Sequence, residues 1–125
     1  MQKVAPTLIV DTVEPTMEFM IDRLGFQKVV DVPGESGLAF AMLVNGNVEI
    51  HLQSKESAVK DISYFSEAKT PSPSFLYIDV DDVKALYEKL KDVVILKPIE
   101  KTFYGATHFF VREPGGHVLG FSQNE

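Results

Sequence analysis

Phe103-Tyr104-Gly105-Ala106-Thr107-His108-Phe109-Phe110-Val111-Arg112-Glu113-Pro114-Gly115-Gly116-His117-Val118-Leu119-Gly120-Phe121 reads as strand, tight turn, strand. Strand side chains alternate between faces, so Thr107, Phe109 and Val111 point one way and His108, Phe110 and Arg112 the other. Pro114 suits the second position of a turn, and Gly115 supplies the positive φ that a type II turn then needs. Val118 to Phe121 returns as the partner strand. The fold depends on what precedes this hairpin, and the function on what the His108 face meets.

Upstream, Phe75 to Val80 is a β-rich run, and Asp81-Asp82 supplies helix N-cap chemistry. Val83, Leu86, Tyr87 and Leu90 then follow at the i, i+3, i+4, i+7 spacing of an amphipathic helix, and Val93 to Leu96 starts another strand. The first half has the same order. Val4 to Val10 is a strand with Pro6 near its start, and Asp11-Thr12 caps a helix whose first turn tolerates Pro15. Met17, Met20, Ile21 and Leu24 form its apolar stripe, and Gly25 ends it as a left-handed C-cap. Phe26 to Val32 is a strand, Pro33 to Gly37 a turn, and Leu38 to Val44 an apolar run that reads as a buried strand. Asn45-Gly46 is a type I′ hairpin signal, and Val48-Glu49-Ile50-His51-Leu52-Gln53 alternates as the returning strand.

Val10-Asp11 and Val80-Asp81 are 70 residues apart and the two helical stripes 66 apart, so the chain repeats one unit in tandem. The reading is α+β: two βαβββ modules, about 1–54 and about 74–125, within a single domain spanning 1–125. Residues 55–73 are the linker; Val59, Ile62 and Phe65 suit a short helix there, and Thr70-Pro71-Ser72-Pro73-Ser74 is a join.

The chain has 125 residues, 45% of them apolar, enough to bury a core without staples. It has no cysteine, which excludes disulfides, thiolate metal sites and cysteine catalysis. A net charge of −6 without a Lys/Arg cluster argues against nucleic acid and anionic membrane as partners. Neither a signal peptide nor a run of roughly 18 apolar residues is present, so the expected location is cytoplasmic.

Three stretches resemble the vicinal oxygen chelate superfamily, which includes glyoxalase I, extradiol dioxygenases, fosfomycin-resistance enzymes and bleomycin-resistance proteins. They are Leu8-Ile9-Val10-Asp11 leading to Phe19 and Leu24-Gly25-Phe26; Asn45 to Ile50; and Tyr104-Gly105, Phe109, Val111 to Gly116 and Phe121. The resemblance implies an open, incomplete eight-stranded barrel with helices outside and a ligand cup inside. In metal-dependent members, the resemblance implies a divalent ion held by one residue from the first and one from the last strand of each module. Those positions are Ala5, Glu49, Phe75 and Gly120, and only Glu49 can coordinate. The expectation is therefore no metal of the family type and no cofactor.

Alternation places Glu49, His51 and Gln53, Thr7 and Ile9, Phe75, Tyr77 and Asp79, and His108, Phe110 and Arg112 on the inward faces. Glu49, His51, Phe75, Tyr77, Asp79, His108, Phe110 and Arg112 are the candidate ligand-binding residues: aromatic walls with a few convergent polar groups. By resemblance to the bleomycin-resistance branch, the chain is a metal-independent homodimer that sequesters a small molecule, an antibiotic or another aromatic or cationic ligand, at the dimer interface. The alternative is a glyoxalase- or dioxygenase-like enzyme whose metal has moved to Glu49, His51 and His108. Arg112 reads as a fastener beside the turn and His117 as a surface residue.

Overall fold

The structure is a computed structural model that describes residues 2–71 and 73–125. Its elements in chain order are β1 (Thr7–Val10), α1 (Val13–Leu24), β2 (Gln27–Pro33), β3 (Leu38–Asn45), β4 (Val48–Ser54) and α2 (Lys55–Asp61), followed by a 3-10 turn at Ser63–Ser66. After it come β5 (Phe75–Asp79), α3 (Val83–Lys89), β6 (Val94–Lys101), β7 (Ala106–Arg112) and β8 (Val118–Asn124). The strands form two four-stranded sheets in the same order, β1-β4-β3-β2 and β5-β8-β7-β6. The repeat is thus one of topology: in each sheet the first strand pairs parallel with the last, and the rest are antiparallel neighbours. Both sheets are open at their edges, so the eight strands make two sheets, not one continuous barrel. The chain divides into two compact units, Met1–Ser72 and Pro73–Glu125.

In the first unit one face of the sheet packs on α1. Leu8, Val10, Ala41, Leu43, Ile50 and Leu52 are buried there, against Val13, Thr16, Phe19 and Met20 of the helix. The buried stripe is thus rotated from the Met17, Met20, Ile21, Leu24 set; only Met20 of those four is fully buried, and Phe19 takes the central place. Strand β3 is buried on one side alone, through Ala41 and Leu43, because its other side belongs to the open face. Thr12 is the N-cap of α1 by backbone position, but its side chain makes no capping bond. The carboxylate of Asp11 instead accepts from Thr70 Oγ1 at 2.8 Å.

The turn between β3 and β4 differs from the Asn45-Gly46 reading. Asn45 stays in the ladder opposite Val48, and the turn is Gly46-Asn47, with Gly46 at φ 59. A Gly-X turn needs positive φ only at its first central residue, which frees Asn45 for another task. Its Nδ2 donates to the carbonyl of Leu24 at 2.9 Å, beside Gly25 at φ 76, and so closes the C-terminus of α1.

Within 55–73 the chain is more ordered than a plain linker. Ser54 caps α2 by accepting from the backbone N–H of Ser57, and Lys55 reaches across to the carbonyl of Ala68. The helix buries Ala58, and Ile62 stays exposed. Ser72, in the expected join, lies outside the described residues.

In the second unit Phe109, Val111, Leu119 and Phe121 are buried on the helix side, with Val83 and Leu90 facing them from around α3. Asp82 caps α3 through the N–H of Ala85 at 3.0 Å, as its sequence position predicts. The hairpin at Glu113 is closed by Gly116 N–H donating to the Glu113 carbonyl, and positive φ falls on Gly116 (95°), not Gly115. The carboxylate of Glu113 explains the shift: it folds back and accepts from the N–H groups of Gly115 (2.9 Å) and His117 (3.0 Å). His117 is correspondingly buried against Glu113, which corrects its surface assignment.

Candidate functional site

The face of the second sheet away from α3 is organised around a residue without a side chain. Strand β8 runs between β5 and β7, and Gly120 pairs with Tyr77 on one side and Phe110 on the other. Tyr77 and Phe110 therefore close over β8, their rings 6.0 Å apart at 28°. Phe75 meets Phe110 edge-on at 5.5 Å, and His108 meets it at 5.0 Å. Phe75 and Tyr77 keep 57% and 45% of their surface exposed, so this aromatic wall faces outward.

His108 is the buried member of the group, at 7% exposure. Tyr77 Oη lies 2.8 Å from its Nδ1, and Glu100 Oε1 lies 3.2 Å from its Nε2. Glu100 stands directly across the ladder from His108 on β6, and Lys97 pairs with the same carboxylate oxygen at 2.7 Å. The Lys97 hydrogen bond, then that of His108, hold the Glu100 carboxyl below its usual range. An ionised carboxylate only accepts, so in the neutral ring the tautomer that satisfies both contacts carries its proton on Nε2 and leaves Nδ1 as the acceptor. Tyr77 then donates to Nδ1, and its oxygen accepts from Tyr104, whose hydroxyl is 3.2 Å away. The hydrogen bond to Tyr77 also raises the Tyr104 pKa, which keeps Tyr104 in its donating form.

Glu100 and Tyr104 were not candidates from sequence. The sequence places a strand start at Val93 to Leu96 and gives no period for the residues that follow it. In the structure β6 is an edge strand, where proline is tolerated, and register shifts at Ile95/Lys97 and Lys97/Glu100 aim the Glu100 side chain at His108. A lysine and a glutamate at i, i+3 across from a strand histidine was the available signal.

In the first unit Glu49 and His51 meet each other. Glu49 Oε2 is 2.7 Å from His51 Nε2, and Glu49 Oε1 accepts from Lys3 Nζ at 2.7 Å. Hydrogen bonds from Lys3 and then from His51 hold the Glu49 carboxyl below its ordinary value. Phe40 packs edge-on to the His51 ring at 5.4 Å. Gln53 is turned to α2, donating to Ser57 and Asp61. Thr7 and Ile9 share this face of β1, less buried than Leu8 and Val10. Asp79 and Arg112 are exposed on their strands and make no side-chain hydrogen bond or ion pair among the described residues. Arg112 is therefore not the fastener of its turn; Glu113 is.

These residues do not fit the divalent ion that the resemblance implies. A Cβ built on Gly120 would lie 2.5 Å from Phe110 Cε2 and 3.0 Å from Tyr77 Cδ1, so the place of a ligating side chain there is filled by rings. Ala5 and Phe75 have no donor atom, and the Glu49 carboxylate is already shared by a lysine and a histidine. Within either unit, no three His, Asp or Glu side chains among the described residues converge with metal-ligand spacing. Both ring nitrogens of His108 are engaged, by Tyr77 and by Glu100.

No curated protein matches the chain in sequence. Solved structures match its fold over nearly their full length. A glyoxalase/bleomycin resistance protein/dioxygenase family enzyme from Burkholderia phytofirmans PsJN superposes with a TM-score of 0.82 at 18% identity, covering 97% of each chain. The bleomycin-binding protein of Streptomyces verticillus, in complex with copper(II)-bleomycin, gives 0.67 at 23% identity, covering 100% of this chain and 98% of that one. Lactoylglutathione lyase from Agrobacterium tumefaciens gives 0.74 at 14%, covering 98% and 94%. The sequence profile that matches residues 3–121 decides the family: the chain belongs to the Glyoxalase/Bleomycin resistance protein/Dioxygenase superfamily.

Proposed function

We propose that this chain is a small-molecule binding protein that holds a flat aromatic ligand against the open face of its second sheet, without a divalent ion. One observation carries the reading: Gly120 stands at a position that the family uses for a metal ligand, and Phe110 and Tyr77 have closed over it. A coordinating position has become part of an aromatic surface. Phe75, Tyr77 and Phe110 offer ring faces and edges for stacking, and the unpaired Asp79 on the same strand as Tyr77 favours a cationic substituent. The structural likeness to a bleomycin-binding protein supports sequestration as the role. Of the remaining ligand candidates, Arg112 on β7 belongs to this proposal as a polar rim, and Glu49 and His51 are proposed as separate ligand contacts on the open face of the first sheet.

The protein acts as a homodimer in the cytoplasm. Edge strand β2 exposes Val29, Val30 and Val32, and edge strand β6 exposes Val94 and Leu96, which an isolated chain leaves as unprotected apolar edges.

Elemental analysis joined to a ligand titration tests the reading. Purified protein is expected to carry no stoichiometric divalent ion, and to bind flat aromatic cations with a change in tyrosine fluorescence. Phe110→Ala is expected to weaken that binding about tenfold, the scale of one lost aromatic contact. A stoichiometric divalent ion that disappears in Glu49→Gln overturns it.

A further inference from the structure

We propose that Tyr77 and Tyr104, driven by the His108–Glu100 pair, form a metal-free proton-accepting site that takes up an aromatic ligand with an acidic hydroxyl and holds it as its oxyanion. The proposal rests on the ligand-binding reading above and adds to it a chemistry and a ligand class.

The argument is one of direction along a hydrogen-bonded chain. Lys97 fixes Glu100 in its ionised form, Glu100 accepts from His108 Nε2, and His108 Nδ1 accepts from Tyr77. Every link points the proton of Tyr77 inward, to a histidine that is 7% exposed. Once protonated, the ring has a carboxylate acceptor at Nε2 and a hydroxyl oxygen at Nδ1, so both of its N–H groups are matched in place. The outer end is open: Tyr77 and Tyr104 remain 45% and 56% exposed, with their hydroxyls 3.2 Å apart. Two hydroxyls at that spacing can donate together to one oxygen placed between them.

The proton balance is simple. When the O–H of the ligand meets Tyr77, its proton passes to the Tyr77 oxygen as the proton of Tyr77 passes to His108 Nδ1. The ligand O–H bond breaks with its electron pair left on the ligand oxygen. His108 becomes an imidazolium that donates from Nδ1 to Tyr77 and from Nε2 to Glu100. Tyr77 and Tyr104 then both donate outward to the oxyanion. Nothing is oxidised or reduced.

Gly120 is what makes the link possible. Tyr77 reaches His108 across β8, and a side chain at Gly120 would occupy the space through which it leans. The ring of Phe110 beside them excludes water from one side and supplies the flat surface that makes the ligand aromatic. The charged and titratable groups around His108 are Glu100 and Lys97 on β6, Tyr77 and Asp79 on β5, the latter in the same ladder row through Ser122, and Tyr104 in the β6–β7 turn; Arg112 lies further along the same face.

4-Nitrophenol is a suitable probe, since its neutral and ionised forms absorb at different wavelengths. Equilibrium dialysis gives the amount bound, and difference absorbance gives its ionisation state, at a pH about one unit below the probe's own pKa, where about a tenth is ionised in water. The full-length protein is expected to bind it mainly as the phenolate, at least a tenfold shift in the ionised-to-neutral ratio. Tyr77→Phe and His108→Gln are each expected to return the bound probe to its neutral spectrum. Tyr104→Phe, at an exposed position that folding does not need, is expected to cut the shift severalfold, and it carries the test if His108→Gln fails to fold. Probe that binds with an unshifted spectrum overturns the relay and leaves the binding reading standing. A phenolate spectrum that survives Tyr77→Phe also overturns the relay, and absence of probe binding at millimolar concentration overturns the oxyanion ligand class while the titration with aromatic cations decides the binding reading.

Discussion

Gly120 shows how one missing side chain reorganises a site. Its two ladder partners, Tyr77 and Phe110, meet over it, and the phenol of Tyr77 thereby reaches His108. Gly120→Ala is expected to destabilise the protein by about 1–3 kcal/mol in a thermal or urea melt, because the new methyl is forced against the Phe110 ring. Phe110→Leu in the same chain is expected to recover part of that loss. If Gly120→Ala is neutral, the rings are not held where the structure has them.

Glu100 and Glu49 carry a pH dependence whose sign follows from their partners. Both carboxyls are held below their ordinary values, Glu100 by Lys97 and then His108, Glu49 by Lys3 and then His51. Folding therefore favours their ionised forms. The stability they add is complete above the ordinary carboxylate range and is lost as pH falls through the lowered folded values. Both are surface pairs and the effect is small. The Tm difference between wild type and Glu100→Gln is expected to be largest near neutrality and to shrink on acidification; a difference that grows in acid contradicts the pairing.

Two side chains do for their elements what turn propensities alone do not. Asn45 ends β3 and also accepts the task of closing α1, through its bond to the Leu24 carbonyl. Asn45→Ala is expected to cost roughly 0.5–1.5 kcal/mol, the net value of one such hydrogen bond, while Asn47→Ala in the turn itself costs less. Glu113, buried to 1% exposure, ties the β7–β8 turn by accepting from two backbone N–H groups. Glu113→Ala leaves those donors without their carboxylate, and a loss of about 2 kcal/mol or more is expected by denaturant unfolding. The same substitution at exposed Glu88 on α3 serves as the reference.

At the scale of the whole chain, two units repeat one topology with unequal chemistry. The open face of the first sheet carries an ion-paired carboxylate and a histidine; that of the second carries an aromatic wall with a buried histidine behind it. Among the described residues, no helix is long and apolar enough to cross a membrane. Light scattering is expected to give twice the mass of one chain, and a Lys substitution at Val30 or Leu96 to shift it toward the monomer. A monomeric wild type removes the homodimer from the proposed function.

The tandem βαβββ order was legible in the sequence because strand alternation, helical spacing and cap residues are local properties with fixed periods. The family resemblance was legible at Tyr104 to Phe121 for the same reason: a hairpin writes its turn and its two faces into consecutive residues. Local patterns also gave the open-face set of His108, Phe110 and Tyr77. They did not give the turn geometry at Asn45 and Gly115, because there a side chain from the turn's own flank takes the backbone N–H or carbonyl that a propensity rule treats as free. Nor did they give Glu100, since a bulged edge strand interrupted by Pro98 has no clean period. Sequence alone determined that Gly120 cannot ligate a metal. Only the tertiary structure decided what stands in that place, because the rings that fill it come from two other strands, one ten residues and the other more than forty residues away along the chain.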